Sequence, residues 1–164
     1  MIRHVLSVAR RAAVAVLLAG LAGCVSVPVA PTGPIGAVAL DRGAAEAMIS
    51  AYRREHGLGA VTLDPALDAV AQRQADAMAS ANVLSHEVAG PLPVRLAQAG
   101  ADSRAAIKNV SAGYPSFPSA LGGWKRSPHH NENLLFPPVR RMGIAAAAAP
   151  GTRYKTFWSL VMTN

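Results

Sequence analysis

Two apolar runs close the chain, Met142 to Ala149 and Tyr154 to Met162, and only four residues, Pro150-Gly151-Thr152-Arg153, stand between them. A proline–glycine pair followed by threonine favours a turn, so the two runs read as the strands of a terminal hairpin. The first run ends in five successive alanines, a poor strand composition. It is assigned to a strand because the turn and the aromatic run with Tyr154, Phe157 and Trp158 need a partner.

The segments upstream read as helices. Asp41 is an N-cap for a helix whose apolar positions Ala45, Met48, Ile49 and Tyr52 recur at three and four residues, and Gly57 and Gly59 end it. Asp64-Pro65 is a strong start: a side-chain acceptor at the cap, then proline at the first helical position. Leu67, Val70, Ala71, Ala75 and Met78 form the apolar stripe of this second helix, predicted to run to about Ala81, with Asp68, Arg73, Gln74 and Asp76 mostly off it. Shorter helices are predicted at Val94 to Gln98, stopped by Gly100, around Ser119 to Trp124, and from Pro128 to Leu135 before Pro137-Pro138. Helices first and a hairpin last predict an α+β fold in layers.

Composition narrows what builds the core. The chain of 164 residues is 51% hydrophobic but has only eight aromatic residues, so Ala, Val and Leu must fill most of the interior. One cysteine excludes an internal disulfide framework and a cysteine-based zinc site. Residues 41–164 are enough to bury about two thirds of the unfolded surface without either.

The first 23 residues are of a different kind. Arg3, Arg10 and Arg11 precede Ala12 to Gly23, a run without charge. It is too short for a membrane-spanning helix, which needs about 20 residues, and fits the apolar region of a signal peptide. Its end, Leu21-Ala22-Gly23-Cys24, resembles the lipobox of bacterial lipoproteins. That resemblance implies cleavage before Cys24 and acylation of its sulfur, with chains such as palmitate serving as the membrane anchor; each buried methylene adds ~0.8 kcal/mol. The other readings are an ordinary secretory signal with an accidental cysteine, or a short apolar helix. Val25 follows the cysteine instead of Asp, which by resemblance to enterobacterial lipoproteins directs the product to an outer membrane where the source has one. Residues 24–40 carry no charge and hold Pro28, Pro31 and Pro34, so they read as an extended tether.

Charge is divided along the chain. Residues 41–102 hold five basic and eight acidic side chains, whereas residues 103–164 hold eight basic ones against Glu132 alone. A basic half suits anionic lipid headgroups or another envelope polymer; the alternative is that the two halves intermix on one surface. Export at synthesis argues against nucleic acid as a partner.

Three blocks of residues resemble a known family. They are Ala51-Tyr52-Arg53-Arg54-Glu55-His56-Gly57-Leu58 with Leu63-Asp64-Pro65-Ala66-Leu67 and the helix running to Leu84-Ser85-His86; Lys108-Asn109-Val110-Ser111-Ala112-Gly113; and Trp124-Lys125-Arg126-Ser127-Pro128-His129-His130-Asn131-Glu132-Asn133-Leu134-Leu135 followed by Met142-Gly143-Ile144 and the strand with Trp158. In order and spacing they resemble the bacterial branch of the CAP superfamily, the SCP domain of cysteine-rich secretory proteins, over residues 41–164. The resemblance implies an α-β-α sandwich, helices flanking a small antiparallel sheet, with a shallow histidine-lined cleft that in some members binds a divalent metal.

Carried over position by position, the resemblance places His86, Lys108, Asn109, Ser127 and His130 in that cleft. It also shows two departures. Lys108 stands where the family commonly has glutamate, and Trp158-Ser159-Leu160 replaces a Trp-Thr-Gln run. His86 and His130 are then the weak metal candidates, since a usable zinc site wants a third protein ligand and an ammonium disfavours a divalent cation. Glu87 and Glu132 are the acids nearest in sequence. Lys108 beside His86 is expected to hold both histidines neutral. His56 and His129 are expected on the surface, and Trp124 and Trp158 in the core. Ser127 with His130, or Ser85 with His86, has the composition of a hydrolase nucleophile and base, but that chemistry needs an orienting acid and an oxyanion hole.

Two function classes follow. The first is a non-enzymatic lipoprotein of the bacterial cell envelope, lipid-anchored, that binds a ligand or envelope component. The second is a metal-assisted hydrolase or protease on the same fold. Loss of the acid at Lys108 favours the first, because water activation needs a base or a metal.

Overall fold

A computed structural model describes residues 34–101 and 103–164. The signal segment, Cys24 and most of the tether lie outside the described residues. The elements in order are β1 (Gly36–Ala37), α1 (Arg42–Glu55), β2 (Thr62–Leu63), α2 (Pro65–Ala81), α3 (Leu92–Gln98), β3 (Ala106–Ala112), α4 (Phe117–Arg126), α5 (Pro128–Leu134), β4 (Arg141–Ala149) and β5 (Lys155–Thr163).

The two major helices begin where their caps predict. Asp41 Oδ1 accepts the Ala44 N–H at 2.9 Å, and Asp64 Oδ1 accepts those of Ala66 and Leu67 at 2.8 and 3.3 Å. These bonds satisfy donors that the first helical turn leaves open. α2 ends at Ala81, and Asn82 follows in the left-handed conformation at φ 49°, a geometry asparagine tolerates.

The terminal hairpin forms the middle of the sheet. β4 pairs antiparallel with β5 over nine residues, from Arg141 opposite Thr163 to Ala149 opposite Lys155. The strand order is β1-β4-β5-β3, and β2 pairs parallel with β4 beyond β1. Gly36–Ala37, at the end of the stretch expected to be extended, thus docks on the sheet opposite Ala148 and Ala147. β3 pairs antiparallel with β5 and forms the opposite edge.

Alternation along β4 and β5 divides the core into two layers. On one face Ala145, Ala147, Ala149, Phe157 and Val161 meet Leu67, Val70, Ala71, Ala75 and Met78 of α2. On the other, Ile144, Ala146, Trp158 and Leu160 meet Ala45 and Ile49 of α1, Phe117, Leu121 and Trp124 of α4, and Leu134 of α5. This is the α-β-α sandwich. The alanine run, weak by propensity, fits because small side chains let α2 lie close to the sheet. Gly143 carries this furthest: a methyl built there would overlap the backbone of Leu67 and Asp68.

Three features depart from the sequence reading. Gln74 was placed off the apolar stripe, yet it is fully buried, because its Nε2 donates to the Ser85 carbonyl at 2.7 Å. β3 has no alternating pattern to reveal it, because both its faces are covered and the second carries the buried polar residues Asn109 and Ser111. Arg53 is buried as well, donating to the carbonyls of Gly59, Leu134, Phe136 and Val139 at 2.8 to 3.3 Å. The last three belong to α5 and the segment after it, so Arg53 ties α1 to the element that carries His130.

Candidate functional site

Three elements meet at the β3 edge. The loop after α2 brings Leu84 and His86 from one layer. The α4–α5 junction brings Ser127 and His130 from the other. β3 runs between them with Lys108 and Asn109. The predicted candidates are therefore neighbours. The His86 and His130 rings lie nearly parallel, at 18°, with centroids 6.5 Å apart.

Each side chain is held by specific partners. His130 Nδ1 and Ser127 Oγ share a hydrogen bond of 2.9 Å. Asn109, fully buried, donates Nδ2 to the His130 carbonyl at 2.9 Å. Its Oδ1 accepts from Asn133 Nδ2 at 2.8 Å, and the same amide reaches the Lys108 carbonyl at 3.3 Å. Asn109 is thus a buried strut under α5 and makes its polar contacts inside the protein. α5 is fixed from its other side by Tyr52, whose hydroxyl donates to Asn131 Oδ1 at 2.7 Å under the Lys125 ammonium, 3.9 Å from the ring centroid. Gln74 and Asn133 were not singled out from the sequence. A buried amide within an apolar stripe is the signal that would have found Gln74.

Lys108 lies beside His86, and its charge is engaged. Nζ donates to the His86 carbonyl at 2.9 Å and pairs with the exposed Glu87 carboxylate. That contact holds Glu87 below its usual carboxylate range, with the Lys108 hydrogen bond as the largest cause outweighing some desolvation. His86 is held below the ordinary histidine value, first by burial, then by the Lys108 charge and His130. His130 is lowered by burial and then by His129. The expectation that Lys108 controls both histidines therefore needs correction. Lys108 acts on His86, and there it ranks after burial. His129 and His56 are exposed, and both tryptophans are in the core.

Beside His130 the cleft widens into a cavity of about 270 Å³, lined by Leu84, the β3 segment 110–112, Tyr114, Gly123, Trp124, Ser127 and His130. These lining residues include no carboxylate. Among the described residues, no group of three or more His, Cys, Asp or Glu is placed to hold a metal ion. The residues do not fit a divalent cation: two imidazoles face one another, and the neighbouring acid, Glu87, is paired with the Lys108 ammonium.

The model of the Cysteine-rich secretory protein family, CAP, matches residues 47–162. The chain belongs to the CAP family. No curated protein matches the chain. Among solved structures, this CAP domain is similar to an extracellular protein containing an SCP domain from Bacillus anthracis, with 23% identity and a TM-score of 0.64 over 74% of this chain and 40% of that one. An outer surface protein of Borrelia burgdorferi matches at 17% identity and a TM-score of 0.64, over 77% of this chain and 97% of its own. A cysteine-rich secretory protein of Staphylococcus aureus matches at 18% identity and a TM-score of 0.57, over 73% and 36%. The chain therefore spans well under half the length of the Bacillus and Staphylococcus proteins, and at these identities the likeness is one of fold.

Proposed function

We propose that this CAP domain is held at the bacterial cell envelope by a lipid on Cys24 and binds a ligand in the cleft between His86 and His130 without turning it over. The observation that carries the reading is the double engagement of Lys108 by the His86 carbonyl and the Glu87 carboxylate. It occupies Glu87, the acid next to His86, with a salt link. His86 and His130 are left as neutral hydrogen-bonding groups beside a cavity walled by Leu84, Tyr114 and Trp124. Such a site suits recognition: a few polar groups set orientation and apolar walls supply contact.

Ser127 and His130 have the separation of a nucleophile and base, but no carboxylate bonds the His130 ring among the described residues. A serine–histidine pair without an orienting acid lacks the group that fixes the imidazole for proton transfer. Surface location is supported by the similar proteins, one an extracellular protein and another an outer surface protein.

Three measurements test the reading. Cys24→Ser should leave the precursor uncleaved and abolish labelling by a fatty-acid probe; labelling that survives excludes acylation at Cys24. The full-length chain should be titrated with phosphatidylglycerol vesicles and, separately, with solubilised envelope polysaccharide, following the His86 and His130 ring signals by NMR. Ring shifts with either probe that vanish in His130→Ala support the cleft as the binding site. Hydrolysis of casein or of p-nitrophenyl acetate that is lost in His130→Ala would replace this reading by the enzymatic one.

A further inference from the structure

β3 is the outer strand of the sheet, and its backbone alternates in direction. The Gly113 N–H donates to the Thr156 carbonyl on β5, and the Ala105 carbonyl accepts from Asn164 on the same side. The Lys108 carbonyl accepts from the Asn133 amide, away from β5. Odd-numbered residues therefore direct their peptide groups to β5, and even-numbered ones direct theirs outward. At Lys108 the side chain of Asn133 takes the place a neighbouring strand would have. The outward N–H and C=O groups of Val110 and Ala112 have no such substitute among the described residues. They lie at the cavity, with Val110 and Ser111 only 3% and 7% exposed.

We propose that the cleft takes an extended peptide, whose main chain pairs with this open edge of β3 at Val110 and Ala112. This rests on the cleft reading above and names its ligand class. Buried main-chain donors and acceptors require partners, and here they repeat about 7 Å apart along one strand. Another extended main chain matches that spacing with both donors and acceptors. The docking length is bounded at both ends, by Asn133 over Lys108 and by the turn at Gly113, whose φ of 85° ends the strand. That leaves room for about three ligand residues.

The two layers then read successive side chains. Residues paired with Val110 and Ala112 turn toward Leu84, which is exposed at the cavity wall. The residue between them turns toward Ser111, Trp124, Ser127 and His130. Ser111 Oγ and Trp124 Nε1 are buried and lack hydrogen-bond partners among the described residues. Both are donors, so the central side chain is one that accepts, such as Asn, Gln or Asp. Strand addition of this kind takes affinity from main-chain bonds and selectivity from alternate side chains.

The test pans a library of terminally blocked L-tetrapeptides against the full-length chain and measures the strongest member by fluorescence polarisation. The same peptide N-methylated at its two central amides should bind at least about tenfold more weakly, as should the parent peptide to Ala112→Pro. Proline at Ala112 removes an edge N–H while leaving the bonds to β5 in place. Amide exchange at Val110 and Ala112 should slow on binding of the parent peptide. Equal affinity of the N-methylated peptide overturns edge pairing, and this arm needs no protein variant to fold. Absence of any library member binding below about 1 mM overturns the peptide assignment. The cleft reading stands separately if vesicles or polysaccharide shift the rings and His130→Ala abolishes the shift, and it falls only if no probe, the peptide included, does so.

Discussion

Gln74, buried in the middle of α2, donates its amide to the carbonyl of Ser85, the residue immediately before His86. A helix packed against the sheet thereby sets the position of a loop histidine twelve residues further along.

Replacing Gln74 by Leu keeps the volume and removes the donor. The Ser85 carbonyl loses its partner, at a cost of about 1–3 kcal/mol when a buried group is left unsatisfied. Urea unfolding should report that loss of stability. The ring signals of both His86 and His130 should shift even without ligand, because their near-parallel arrangement depends on the loop. A variant with unchanged ring signals would show that the loop holds its place without Gln74.

Lys108→Met should raise the His86 pKa, since the Lys108 charge is one of the groups lowering it. The His130 pKa should stay where it is, because its lowering comes from burial and His129. Loss of the ion pair itself should cost little stability, as its Glu87 end is exposed to solvent. Lys108→Glu should raise His86 further and increase zinc affinity by restoring an acid beside two imidazoles. NMR titration and calorimetry check both.

Stability should also fall on mild acidification. Both histidines have folded pKa values below the ordinary 6.5, so between those values the unfolded chain binds more protons. Unfolding free energy then declines as pH drops below about 6.5 and levels off once the folded values are passed. The urea midpoint at pH 5.5 should be lower than at pH 7.5, and a His86→Gln, His130→Gln double variant should flatten the difference. A midpoint that rises toward pH 5.5 would contradict the burial of these rings.

Gly143→Ala tests the contact between layers. The added methyl overlaps the backbone of α2 at Leu67 and Asp68, and backbone cannot move aside as a flexible side chain does. A loss of about 3 kcal/mol is expected, read by thermal or urea unfolding. Ala145→Gly, one turn of the pleat away on the same strand face, serves as the comparison and should cost less.

The parts of the fold that were legible have local causes. Asp41, Asp64 and Pro65 act within one helical turn, and Pro150-Gly151 acts on its own backbone, so helix starts and the hairpin could be read directly. β3 could not, because its register is set by β5 across the sheet and its buried Asn109 answers to the His130 carbonyl of α5. The grouping of His86, Ser127 and His130 came through resemblance of motif order. The engagement of Lys108 by Glu87 and the His86 carbonyl is a tertiary contact that no spacing along the chain encodes.

The strand order has a mechanical corollary. β1, the first described strand, sits at one border of the sheet, and β3 with the His86–His130 gap sits at the other, three strand spacings or roughly 14 Å away. A pull on the leading end of the chain is taken first by the two-residue ladder between β1 and β4. On a chain moored by its leading end, that ladder yields before the far border feels the load.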